Sequence, residues 1–180
     1  ATELWTPLDE AKLSNLDGLL DQFVHRYPDG RLAGVGAVAW YITLVSNTDV
    51  IAEALQTGEI PMGQYYHDVA GLAAADGFPV RSTFPKEGGV NDSGSWAVSK
   101  ASGKAEQAHV FIDYMCQPAV QAALSRNVGT APTLRRELLD LSDAEFAAVA
   151  SEIPPIIPNY RMYLERGDWL EQKWIETITG

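Results

Sequence analysis

Residues 58–100 constrain the fold more than any other part of the chain, because short apolar segments alternate there with turn residues. The pattern predicts strands over 58–64, 78–84 and 93–99, a helix over 69–76, and a tight turn over 85–89. Asp68 suits the cap of this helix, and Gly77 suits the left-handed conformation that ends it. The order strand, helix, strand, turn, strand indicates a compact α/β unit, in which ligands usually bind at strand ends.

The rest of the chain alternates further apolar segments with turns. Apolar residues at helical spacing predict an early helix that contains Leu16, Leu19, Leu20 and Phe23. Residues 32–46, rich in valine, alanine and aromatic residues, predict a buried strand or pair of strands. Further helices are predicted over residues 50–57, 103–116, 118–125, 134–139, 142–149 and 168–178. Ser142 and Glu145 have the spacing of a capping box.

Charge and composition limit the partners. Thirteen basic and 24 acidic residues give a net charge of −11, which disfavours nucleic acid and anionic membranes and suits a cationic or zwitterionic ligand. With 46% apolar residues, the chain can bury a substantial core. Cys116 is the sole cysteine, so an internal disulfide is impossible. The longest apolar run, residues 32–45, is shorter than the roughly 20 residues of a membrane-spanning helix.

The sequence lacks the common catalytic motifs. His25, His67 and His109 are scattered, and none has a metal-ligand spacing such as HExxH. GxSxG elbows, phosphate loops and GxGxxG turns are absent. We therefore predict no catalytic residue, no metal ligand and no cofactor. His67 and Asp68, which follow two tyrosines, leave a small hydrolase-type enzyme as an alternative.

Several segments carry a family resemblance: GEIPMGQYYHDVAG, FPKEGG, SGSWAVSK and the helix AEQAHVFIDYMCQPAVQAAL. In order and spacing they resemble the distal part of bacterial extracellular solute-binding proteins, most closely the spermidine/putrescine-type receptors of ABC importers. The resemblance implies an α/β fold of the periplasmic-binding-protein type II class, with a ligand held between two lobes. It also implies a periplasmic location and an ABC permease as the membrane partner.

The resemblance assigns the chain to two lobes of an incomplete architecture. Residues 1–46 and 93–133 resemble the first lobe, and residues 47–92 and 134–180 resemble the second. Family members have a long segment between the positions of Asp49 and Ile51, which this sequence lacks. We therefore expect a truncated receptor, which could dimerise as a folded half.

Seven residues are candidate ligand contacts under the resemblance. Tyr66 matches an aromatic position of polyamine receptors, with Tyr65 beside it, and a cation over an aromatic face gains about 0.5 to 2 kcal/mol. Asp92 falls next to the family's ligand carboxylate, although direct spacing from Gly89 puts it on an aromatic position instead. The remaining candidates are Trp40 near the hinge, Ser93, Thr130 in a ligand-contacting loop, and Arg81.

Each candidate also has an ordinary structural explanation. Trp40 is also explained as a core residue, since aromatic side chains commonly dominate cores, and Asp92 as a turn residue after the double glycine. Arg81 could bind a ligand carboxylate with both nitrogens, or remain solvated as most arginines do. Adjacent tyrosines on a strand face opposite sides, so one ring could pack inward.

Two ligand classes remain open. The site has fewer aromatic and acidic residues than a polyamine site, so a small amine with its own carboxylate, such as γ-aminobutyrate, fits at least as well. The Tyr65 and Tyr66 pair also resembles ferric-ion receptors, which bind iron through two phenolates. The other iron ligands of that family lie in a lobe that this sequence lacks.

Overall fold

One long strand organises the structure. The computed structural model describes residues 4–47 and 62–179. Its strands are β1 (Trp5–Thr6), β2 (Val24–Arg26), β3 (Leu32–Asn47), β4 (Met62–Tyr66), β5 (Val80–Thr83), β6 (Val90–Trp96) and β7 (Val98–Ser99). Its α-helices are α1 (His67–Ala75), α2 (Ala105–Met115), α3 (Pro118–Val128), α4 (Asp143–Val149) and α5 (Tyr160–Thr179). The mixed α/β architecture that the sequence predicts is confirmed.

Strand β3 pairs with its neighbours on both edges, and every pairing is antiparallel. One edge holds β2 at its beginning and β4 at its end, while the opposite edge holds β6 and then β5. Strands β4 and β6 must lie on opposite edges of β3, because both pair with the same residue: Ile42 lies between Tyr66 of β4 and Val90 of β6. Strands β1 and β7 form a separate two-stranded pair.

Three hydrophobic clusters lie along β3. The first surrounds Val35 and includes residues from the first 19 positions and from α2 and α3. The second contains Ala39 and Tyr41 together with Phe23, and the third contains Val45. Since β3 contributes to all three clusters, it links the two ends of the described structure through a continuous backbone ladder. The division of the chain into two lobes remains a prediction.

The predicted helix around Leu16 to Phe23 is wrong. This segment forms two short 3-10 turns, Leu16–Gly18 and Asp21–Phe23, followed by β2. The backbone amide of Leu20 donates to Thr133 O at 2.9 Å, and Leu19 bridges Leu134. Long-range pairing with the loop after α3 thus replaces the helix that the apolar spacing favours.

Other local predictions have mixed outcomes. The Ser142 and Glu145 capping box is confirmed at the start of α4. Helix α1 begins at His67, so Asp68 lies in its first turn and does not cap it. Helix α5 begins eight residues earlier than the predicted residue 168 and has a break at Arg166 (φ −139°, ψ 28°). The predicted helix over 50–57, the start of the strand over 58–64 and the junction at Asp49 to Ile51 lie outside the described residues.

We expect Gly36→Ala to lower the free energy of unfolding by about 1 to 3 kcal/mol, the usual cost of overpacking. A Cβ at Gly36 would lie 2.6 Å from Cβ of Phe23, whose side chain is only 2% exposed. Urea denaturation followed by circular dichroism measures the change. Gly71→Ala in α1 is the control, because nothing lies within 4 Å of its new methyl group. It should stabilise the protein by about 0.5 to 1 kcal/mol, and equal effects of the two variants would contradict the packing of β3 described here.

Candidate functional site

The two faces of β3 differ in exposure. The odd-numbered residues from Ala37 to Val45 are buried, whereas the even-numbered residues Val38, Trp40, Ile42 and Leu44 are half-buried. Alternate residues of a strand point to opposite faces, so the even-numbered residues define one face, here called the open face. It is the face on which a ligand can reach the central strand.

Asp92 and Thr130 flank Trp40 on its two sides. Asp92 is opposite Trp40 in the pairing of β6 with β3, which places its side chain on the open face. The Ala39 and Ala131 bridge on the other edge puts Thr130 next to Trp40. Adjacent strands are about 5 Å apart, so these three residues span about 10 Å across the sheet. Ser93, opposite Ala39, belongs to the other face.

Tyr66 borders the same open face. It is opposite Ile42, two residues along β3 from Trp40, and is 39% exposed. Tyr65 is opposite Thr43 and 50% exposed, and the two tyrosine rings meet edge to face with 5.8 Å between their centroids. Both phenols are therefore accessible, and Tyr66 lies on the same face as Asp92.

Arg81 is not brought into this group. It is opposite Ser46 in the pairing of β5 with β3, six residues from Trp40. At about 3.3 Å per residue, this separation is roughly 20 Å along the strand. The side chain is exposed, as solvated arginines usually are.

Asp92 has a partner that the sequence did not predict. Its Oδ1 accepts hydrogen bonds from the Tyr160 hydroxyl and from the backbone amide of Ser93, both at 2.9 Å. Burial raises the pKa of Tyr160, and the bond to Asp92 and its negative charge raise that pKa further. Because 68 positions separate the two residues, no local pattern in the sequence indicates this contact.

Asp68 is a second acid near the group. Helix α3 ends at Gly129 in the left-handed conformation (φ 81°), and a Cβ there would lie 3.7 Å from Cβ of Asp68. One carboxylate oxygen of Asp68 is buried and has no hydrogen-bond partner. The sequence suggested Asp68 as a helix cap and, with His67, as a catalytic alternative, and neither suggestion places it beside the loop that carries Thr130.

A buried amide network holds that loop. Gln121 is 1% exposed, and its Nε2 donates to Ala37 O at 3.0 Å and to Met115 O at 2.9 Å. Its Oε1 accepts from the backbone amide of Thr133 at 3.0 Å. Gln121 therefore connects α3, strand β3 and the loop, and fixes where Thr130 lies relative to Trp40.

His67 connects the tyrosine pair to α4. Its Nε2 lies 2.7 Å from Ala148 O and therefore carries the hydrogen, while its Nδ1 lies 2.8 Å from the hydroxyl oxygen of Ser82. Burial lowers the pKa of His67, outweighing the opposing effects of the Ala148 bond and Asp68. The ring is thus neutral near pH 7 and has a structural role beside Tyr66.

Pockets also lie elsewhere in the described part of the chain. One, of about 340 Å³, is lined by Leu16, Asp17, Leu19, Asp21, Val24, Arg26 and Arg135. Another, of about 240 Å³, lies between Trp96 and Phe111. Neither of these pockets combines an aromatic residue, a carboxylate and accessible phenols, as the open face does. Within the described ranges, no cluster of three or more histidine, cysteine, aspartate or glutamate residues could hold a metal ion.

The chain belongs to the bacterial extracellular solute-binding proteins. The model of that family matches residues 3–148. Proteins of this family bind small molecules and deliver them to ABC permeases, so the chain is a substrate-binding component of an ABC transporter. No curated protein sequence matches it. None of the helices in the described part is both long and apolar enough to cross a membrane.

Solved structures show the same fold. An extracellular solute-binding protein from Bordetella parapertussis superposes with a TM-score of 0.80 at 12% identity, over 97% of this chain and 76% of that one. An ABC transporter substrate-binding protein from Bradyrhizobium japonicum superposes with a TM-score of 0.75 at 15% identity, over 97% of this chain and 77% of that one. A GABA receptor superposes with a TM-score of 0.74 at 12% identity, over 96% of this chain and 74% of that one. The periplasmic-binding-protein fold, present here as a partial two-lobe architecture, is therefore confirmed.

We expect Gln121→Leu to lower the free energy of unfolding by about 3 kcal/mol, since it leaves several buried backbone groups without partners at about 1 to 3 kcal/mol each. Urea denaturation measures this loss. Gln107→Leu, at an exposed position of α2, is the matched control and should change stability by less than about 0.5 kcal/mol. A neutral Gln121→Leu would contradict the network.

We expect His67→Gln to make stability less dependent on pH. The pKa of folded His67 lies below its ordinary value of 6.5, so the unfolded chain binds a proton that the folded protein does not. The wild-type free energy of unfolding should therefore fall as the pH drops below 6.5. Urea titrations between pH 7.5 and about 5 compare the slopes. Ser82→Ala, which leaves the buried ring in place, should retain the wild-type slope, and a His67→Gln slope equal to wild type would contradict the assignment.

Proposed function

We propose that the chain captures a small amine in the periplasm for import. Asp92, Trp40 and Tyr66 bind the ammonium group, and Thr130 provides a hydroxyl group nearby. The observation that carries this proposal is the Asp92 carboxylate beside Trp40 on the open face. Within residues 4–47 and 62–179, Asp92 has no cationic partner. A half-buried carboxylate without a counter-ion favours a cationic ligand.

The surrounding charge supports the same ligand class. The chain carries a net charge of −11, which raises the local concentration of cations and speeds their association. Trp40 and Tyr66 offer aromatic surfaces close to the carboxylate, and a cation over such a surface gains further free energy. One carboxylate and two aromatic surfaces are sufficient to bind the ammonium group of a compact amine with a single positive charge.

The proposal includes both a γ-amino acid and a polyamine. Arg81 is roughly 20 Å along β3 from Trp40, beyond the reach of a short γ-amino acid bound at Asp92. The carboxylate of γ-aminobutyrate would then be held by hydroxyl and backbone donors near Thr130. A GABA receptor shares this fold, which makes γ-aminobutyrate a reasonable member of the test panel. A spermidine-type ligand would instead extend along the open face.

The proposed mechanism is a shift between open and closed populations. The ligand contacts side chains from both predicted lobes, 1–46 with 93–133 and 47–92 with 134–180, and stabilises the closed form. The permease then recognises that form. The chain acts by binding and release without turnover and without a cofactor. If it is a truncated receptor, a dimer would replace the missing contacts.

Calorimetric titration with putrescine, spermidine, γ-aminobutyrate and neutral amino acids tests the ligand class. We expect one amine to bind, and Asp92→Asn to weaken it at least tenfold, because truncating a charge partner commonly costs about 2 kcal/mol or more. Asp76→Asn, at an exposed position after α1, is the control and should bind as wild type. Binding that is indifferent to Asp92→Asn would overturn the proposed site. Turnover of a panel amine would instead indicate an enzyme.

A ferric-ion receptor is the second candidate. The specific observation that favours it is the pair of accessible phenols of Tyr65 and Tyr66, whose ring centroids are 5.8 Å apart. Phenolate oxygen is a hard ligand that suits a hard cation. Iron would be favoured if none of the panel amines binds and if ferric ion produces a tyrosinate-to-iron absorption band that is lost in Tyr65→Phe.

A further inference from the structure

The contact between α5 and β6 suggests a role that the ligand proposal does not include. Tyr160 is the first residue of α5, and its hydroxyl donates to Oδ1 of Asp92 at 2.9 Å. The side chain is 52% exposed, so burial alone does not explain why it lies there. It reaches the Asp92 carboxylate, which flanks Trp40 on the open face.

The backbone before Tyr160 is hydrogen-bonded to the edge of β6. Ile156 pairs in parallel with Val90: its amide donates to Gly89 O, and its carbonyl accepts from the Asn91 amide, both at 2.9 Å. Gly88 (φ 100°) permits this approach, because a Cβ there would lie 2.3 Å from Pro154 O. Tyr160 then follows four residues after Ile156, within reach of Asp92 on the same strand.

The hydrogen bonds of Asp92 are unevenly distributed. Both the Tyr160 hydroxyl and the Ser93 amide donate to Oδ1. In the part of the chain that the structure describes, Oδ2 accepts no hydrogen bond. Two donors on one oxygen fix the rotation of the carboxylate and leave the other oxygen available.

We propose that Tyr160 is a positioning residue that holds Asp92 with Oδ2 free to accept an ammonium group of the ligand. This inference rests on the amine site proposed above. Tyr160 acts through Asp92 and not by its own contact with the ligand. Helix α5 is thereby tied to the ligand site, so its docking on β6 affects affinity.

A double-mutant cycle tests this role. Affinity for the amine found in the panel is measured calorimetrically for wild type, Tyr160→Phe, Asp92→Asn and the double variant. Loss of the hydroxyl should weaken binding about threefold to tenfold, the usual range for one hydrogen bond. In the Asp92→Asn background the same change should have no further effect. Tyr163→Phe is the matched control, since that tyrosine is 63% exposed on the same helix.

The failures of the two proposals are distinguishable. The positioning role would be overturned if wild type binds the amine and Tyr160→Phe binds it with the same affinity. It would also be overturned if Tyr160→Phe weakens binding by the same factor in the Asp92→Asn background as in wild type. Either result would leave the amine site standing. Absence of amine binding by wild type would overturn both. A measurement without ligand checks the contact itself: the NMR titration of the Tyr160 phenol should move to lower pH in Asp92→Asn, because the carboxylate contributes to its raised pKa. An unchanged titration would contradict the bond.

Discussion

The pairing of β3 with other strands on both of its edges is the constraint on which the rest of the structure depends. A 16-residue strand is long for a globular protein, where strands of about 5 or 6 residues are typical. It remains extended because β2, β4, β5, β6 and the Ala131 bridge together satisfy its backbone groups on both edges. The register of these pairings decides which side chains share the open face. A slip of one residue would exchange Trp40 for a buried neighbour.

Burial on one face of β3 makes the other face available. The odd-numbered side chains of β3 enter three successive clusters, so their positions are fixed by packing. The even-numbered side chains are then held in place while remaining only half-buried. Trp40 lies between Ala39 and Tyr41 of the second cluster, near the centre of the strand. A surface whose backbone is fixed by packing in this way loses less entropy when a ligand binds to it.

The sequence predicted elements better than it predicted contacts. Alternating apolar residues and glycine turns gave β4, α1, β5 and β6 approximately, because these elements depend on local patterns. The helix around Leu16 failed since Leu19 and Leu20 pair with residues more than 100 positions later. Among the candidate ligand residues, pairing with β3 brings Asp92, Trp40 and Thr130 together and leaves Arg81 apart. The Tyr160 contact depends on register and chain path, and neither is visible in residue spacing.

The charges around Trp40 show why the register matters for ligand choice. Asp92 of β6 lies opposite Trp40, and Asp68 of α1 lies beside Gly129, the residue before Thr130. One carboxylate oxygen of Asp68 is buried without a hydrogen-bond partner, which is costly by itself. The position of the Asp92 carboxylate beside Trp40 therefore follows from the strand pairing and not from any local pattern in the sequence.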